Sequence, residues 1–279
     1  MRSRPLMIAL AALLFLSAPA LAQTFPDRVI RIVNPFPPGG SVDVMARMLA
    51  QKLSDNFGQQ VIVENRAGAG GNTGADSVAK SEPDGYTLLF SAPGPLAVNA
   101  TLYAKGLPFD PVRDFAPIAL FATTPLVLMV NNGLPAKNVQ ELIALAKAKP
   151  GTINFASAGV GSTPHLSGEL FKSMAKIDIV HVPYRGAGPA MNDLIGGHVE
   201  MFFDLLPSSL QQINAGAVRG LANAGDNRPS ALPNLPTVAE QGLTGFSASS
   251  WFGLVAPART PAPVLTRLVQ ETEKIVKSP

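Results

Sequence analysis

One pattern constrains this chain more than any other: a short β-rich run, a glycine-rich loop and an amphipathic helix recur, in that order, in two matched sets. In the first set, Val29 to Asn34 reads as a strand and Pro35 to Gly40 as a loop. Val42, Met45, Ala46, Leu49, Ala50 and Leu53 then mark one face of a helix. Val61 to Glu64, the glycines 68, 70 and 71, a helix and the strand Thr87 to Ser91 follow. The second set repeats the order, with Ile153 to Ala156, a loop from Gly159 to Thr163, and a helix with Pro164 in its first turn and Leu166, Leu170 and Met174 spaced by four. Ile179 to Val182, a loop with Gly186 and Gly188, a short helix and the strand Met201 to Asp204 complete it. Strands alternating with helices build parallel sheets through crossover connections. The expected class is therefore α/β, with two similar lobes, each a mainly parallel sheet flanked by helices.

The start of the chain is of another kind. Arg2 and Arg4 precede an apolar run from Leu6 to Leu16, and Ala20-Leu21-Ala22 supplies small residues for cleavage before Gln23. Residues 1–22 thus read as a secretory signal, too short for a retained membrane span. With no cysteine, the exported chain has neither disulfides nor a lipid anchor, and burial must supply its stability. Losing Arg2 and Arg4 lowers the formal charge of +3 by two, and only 15% of residues are charged. There is no basic run to follow a nucleic acid. The first crossing between lobes is expected near residue 124, with lobe 1 formed by 23–123 and 224–279 and lobe 2 by 124–223.

Loops at the carboxyl ends of parallel strands present the unpaired N–H groups and partial positive charge of the helices they lead into, and such ends bind anions. Gly39, Gly40 and Ser41 in one lobe and Gly161, Ser162 and Thr163 in the other are candidate donors; each loop alone could equally be no more than a tight turn and helix cap. His165, in the first turn of its helix, is a candidate contact. Asp204 either receives a ligand ammonium or hydroxyl or caps the next segment. Arg185 either pairs with a ligand carboxylate or neutralises a surface acid, and Phe36 and Tyr184 are either pocket walls or core.

Chemistry beyond binding has little support. Gly68, Gly70 and Gly74 approach a dinucleotide fingerprint, but no acidic residue ends the next strand, and no phosphate-binding lysine loop exists. There is no G-x-S-x-G elbow and no thiol. His165, His181 and His198 lack metal-ligand spacing, so no metal, cofactor or catalytic residue is expected. The alternative enzyme reading is an exported hydrolase using Ser162 and His165. A ligand-sensing subunit of a signalling system would share the same binding event.

Several motifs together resemble one family, the tripartite tricarboxylate transporter receptors, also called Bug-type solute receptors. They are F-P-P-G-G, V-E-N-R-A-G-A-G-G, P-D-G-Y-T-L-L, L-P-F-D-P, G-S-T-P-H-L, V-P-Y-R-G, P-A-M-N-D-L-I-G-G, L-P-T-V-A-E-Q-G and W-F-G-L. The resemblance implies a periplasmic-binding-protein-like clamshell that captures a di- or tricarboxylate, an acidic amino acid or an aromatic carboxylate. It would deliver this acid to membrane permease subunits, and a monomer is expected. Carried over by position, the pocket would draw on Phe36, Pro38, Gly39, Gly40, Ser91, Ala92, Ser157, Gly161, Ser162, His165, Gly186 and Asp204. Arg185 stands where the family often has lysine. The chain also stops at Pro279, where family members usually continue, so the C-terminal part of lobe 1 is expected to be truncated.

Overall fold

A computed structural model describes residues 25–277. The segment read as a signal lies outside the described residues. β1 (Ile30–Asn34) pairs in parallel with β2 (Val61–Asn65) and β3 (Thr87–Ser91), and β3 pairs antiparallel with β9 (Ser249–Pro257). In the second half, β5 (Asn154–Ser157) pairs in parallel with β6 (Val180–Pro183) and β7 (Met201–Leu205). Each parallel trio therefore has the expected pairing, and antiparallel strands extend it.

The two halves share a strand. β4 runs unbroken from Phe115 to Val130. Its first part, to Pro125, pairs with β9, whereas Leu126 to Val130 pairs with β7 and, from Val127, with β8 (Arg219–Asn223). Only the stretch from Leu126 was legible as a strand, because Pro117 and Pro125 remove ladder donors and the pairing with β9 shifts register twice. The crossing falls at Pro125/Leu126.

The return crossing differs from the expected residue 224. Ala224 N–H donates to Leu126 O at 2.8 Å and Ala248 N–H to Ala224 O at 2.7 Å. Phe246 packs its ring on Phe171 and Phe203 of the second half. Residues 224–248 therefore belong to the second half, held by backbone bonds and aromatic burial, and the chain re-enters the first half at β9.

Helices cover both faces. α1 (Ser41–Phe57) buries Val42, Ala46, Leu49, Ala50 and Leu53 and ends at Gly58, whose left-handed backbone returns its N–H to Ser54 O. α2 (Asn72–Ala79) and α3 (Asn99–Leu102) lie in the same half. α4 (Val139–Ala148) starts at Asn138, whose side chain accepts from Glu141 N–H, while Glu141 accepts from Lys137 N–H. α5 (Thr163–Ala175) is turned differently from its leucine spacing: Ser167, Gly168, Phe171 and Ala175 are buried, while Leu166 and Leu170 are 42% and 39% exposed. Gly168 decides this, since a Cβ there would collide with the Phe155 ring, so only glycine lets the helix lie that close to β5. α6 (Ala187–Gly196), α7 (Leu206–Asn214) and α8 (Ala262–Val276) complete the set.

Candidate ligand-binding site

Four helices begin at one cavity between the halves. Ser41 opens α1, Thr163 opens α5, Ala187 opens α6 and Leu205 caps α7, and all four residues line the same space. Each helix presents unpaired N–H groups and partial positive charge at its start, so the four ends superpose a field that favours an anion. Phe36, Gly40, Ala92, Ser162 and Asp204 are also in the wall. Pro38 and Gly39 line an adjoining groove that shares Asp204.

The halves touch across this cavity. Ser41 Oγ lies 2.7 Å from Ser208 Oγ and accepts the Ser208 N–H at 3.1 Å. Thr163 Oγ1 lies 3.1 Å from Ser250 Oγ. Gly186 is pressed against Pro37, and Gly161 adopts a left-handed backbone with Asn99 of the other half beside it. Ser208 and Ser250 carry no signal in the sequence; their partners lie 167 and 87 residues away, a separation no local pattern encodes.

Three expected backbone donors are engaged inside their own loops. Gly39 N–H donates to Asp43 Oδ2, Gly161 N–H to His165 Nδ1 and Ser162 N–H to Gly159 O. Asp43 is an organiser of the first loop: burial alone would raise its carboxyl, but donors from Arg47, Asn65 and Gly39 outweigh that and hold it below the usual range.

The remaining expected residues lie behind or beside the cavity. Ser91 is fully buried and donates to Ala92 O, and Ser157 Oγ is 2.7 Å from His181 Nε2. His165 stacks on His181 with ring centroids 4.1 Å apart. Desolvation lowers the proton affinity of both rings, that of His181 to a pKa of about 4 with His165 a second cause. Tyr184 is turned into its own half, where burial and its bond to Asp193 push the phenol up to about 12. Arg185 is exposed and lines neither space.

Asp204 is the unusual member. It is fully buried at the end of β7, and burial pushes its carboxyl up to about 6, against donors from Ser208, the Leu205 backbone and Ser209 that pull it down. Its Oδ2 accepts from Ser208 Oγ at 2.6 Å, but Oδ1 has no partner.

A two-lobed α/β scaffold with opposed helix N-termini around an interlobe cavity defines a solute-binding protein. The family model described as tripartite tricarboxylate transporter family receptor matches residues 45–279, and the chain belongs to that family. The protein BugT of Bordetella pertussis is 42% identical over 264 residues, covering 94% of this chain and 81% of BugT. An R. palustris protein solved with adipate is 38% identical with a TM-score of 0.89, covering 91% of this chain and 85% of that one. MatC from Rhodopseudomonas palustris, solved with bound malate, is 33% identical with a TM-score of 0.85, covering 91% and 86%.

Proposed function

We propose that this chain is a periplasmic receptor that captures a small organic carboxylate between its halves, leaves it chemically unchanged, and delivers it as a monomer to the permease subunits of a tripartite transporter. The convergence of four helix N-termini on one interlobe cavity carries the reading, because that arrangement binds an anion without needing an arginine. Family membership supports the transport role, and relatives solved with adipate and malate support a carboxylic acid as the ligand. Among the described residues no helix is long and apolar enough to cross a membrane. We assign the binding surface to Phe36, Gly40, Ser41, Ala92, Ser162, Thr163 and Asp204, with Pro38 and Gly39 at its rim.

A hydrolase reading has one observation in its favour, the 2.7 Å contact between Ser157 Oγ and His181 Nε2. Three facts weigh against it. Ser157 is fully buried, His181 holds its proton weakly, and among the described residues no carboxylate is bonded to that ring. Ser162 Oγ meanwhile donates to Gly159 O at 2.6 Å, so the Ser162–His165 pair has no base–nucleophile contact.

A thermal-shift screen of the protein against dicarboxylates, tricarboxylates, acidic amino acids and aromatic acids tests the receptor reading. A ligand at a hundredfold excess over its Kd should add about 2.7 kcal/mol to stability. Absence of any shift in a well-folded sample defeats the carboxylate claim, and consumption of the bound acid defeats the claim that it is left unchanged.

A further inference from the structure

The receptor reading, on which this inference rests, accounts for the anionic end of a ligand but leaves Asp204 unexplained. Helix N-termini and hydroxyls suit a carboxylate; a buried aspartate in the same wall does not. Asp204 borders both the interlobe cavity and the adjoining groove. Asp43 is the other ionisable side chain bordering these two spaces, and its oxygens are occupied by Arg47, Asn65 and Gly39 N–H. Asp204 is held less completely: Ser208 donates to Oδ2 at 2.6 Å, Ser209 Oγ lies 3.5 Å from the same oxygen, the Leu205 backbone adds a further stabilising contact, no cation pairs with the carboxylate among the described residues, and Oδ1 is buried with no hydrogen-bond partner.

A carboxylate oxygen removed from water and given no donor is destabilising, and a donor brought by a ligand repairs that deficit at the moment of binding. We propose that the ligand is a carboxylate that also carries a hydroxyl or ammonium group, and that this group donates to Asp204 Oδ1. The substrate class is then hydroxy acids or amino acids in preference to unsubstituted dicarboxylates. The two ends of the ligand are read by opposite devices: helix termini take the anion, and the aspartate takes the donor. The carboxyl is raised to about 6, so near neutral pH it is mostly ionised and acts as an acceptor. Selectivity arises because an unsubstituted acid leaves Oδ1 unpaired in the closed site, which is how buried polar groups reject analogues that lack the matching group.

Isothermal titration of the whole protein at pH 7.5 with matched sets tests this: succinate, malate and aspartate; glutarate, 2-hydroxyglutarate and glutamate. Within the set that binds, a substituted acid should bind at least about tenfold more tightly than its unsubstituted parent. The hydroxyl and ammonium arms distinguish the two donor sources. Asp204→Asn should remove most of the preference for the ammonium acid, which loses its charge partner, and reduce less the preference for the hydroxy acid, for which the amide oxygen still accepts. Equal or tighter binding of the unsubstituted acid by the native chain overturns the proposal while the receptor reading stands; it would mean that a water satisfies Oδ1. A preference for the ammonium acid that is undiminished in Asp204→Asn overturns it as well. No binding by any member of either set overturns the proposal, and only the wider thermal-shift screen then decides the receptor reading. The native comparison decides the matter even if Asp204→Asn fails to fold.

Discussion

Gly186→Ala should hold the two halves apart without damaging either. Gly186 has φ 167° and ψ 175°, an extended backbone that alanine adopts freely. The added Cβ would lie 2.5 Å from Pro37 Cδ and 2.9 Å from Cγ, on the loop of the opposite half. Carbon atoms pack at roughly 3.5–4.0 Å, so relief requires about 1 Å of separation. The Pro37 ring cannot rotate away, and Pro38 stiffens the same loop. Overpacking of this kind costs about 1–3 kcal/mol, and here it falls on the contact between the two halves. The dissociation constant for whichever acid the screen identifies should therefore rise roughly five- to 150-fold. Titration calorimetry measures the affinity, and small-angle scattering with ligand should report a larger radius of gyration than the native complex. Gly106→Ala, where a Cβ meets nothing within 4 Å, is the matched control. A Gly186→Ala affinity within twofold of native in a folded protein would refute the steric reasoning.

Ser41→Ala removes the cross-cleft contact to Ser208 and the acceptor of its N–H, so closure should weaken by about 1–3 kcal/mol; stopped-flow binding should show this mainly as faster release. His181 is neutral in the fold because burial depresses its pKa to about 4, so the unfolded chain takes up more protons between about 6.5 and 4 and stability is lost as pH falls through that window. Melting curves from pH 7.5 to 4.5 should accordingly show a shallower acid loss for His181→Gln, and identical slopes would remove that assignment. Asp204 has the opposite sign: with its pKa raised from 3.8 to about 6, its favourable contribution is complete below 3.8 and lost as pH rises through 6. The melting temperature of Asp204→Asn relative to native should thus increase from pH 4 to pH 7.5, and a flat difference would count against the raised pKa.

The strand–loop–helix units were legible because glycine-rich turns and apolar periodicity are local signals, and β1, β3 and α1 begin within a residue of expectation. Longer-range features were not. The first part of β4 is masked by its prolines and by bulged pairing with a strand more than a hundred residues later. The exposed leucines of α5 mimic an inward stripe, whereas the inward face is made by small residues that only close packing reveals. Helix N-termini at the cavity followed from the order of elements. The loss of Gly39 and Gly161 as free donors did not, since it depends on Asp43 and His165 folding back over the preceding turn.

The unbroken β4 also limits how such a molecule can be taken apart. A single junction at Pro125/Leu126 would leave the first part of β4 from one relative paired to the β9 of the other, while the rest of β4 keeps its own β7 and β8. A chimera must then be cut a second time, ahead of β9, so that β9 travels with the first part of β4 and β7 and β8 with the rest. Ligand preference is therefore more readily transplanted by exchanging the loops that begin the four cavity helices than by exchanging lobes.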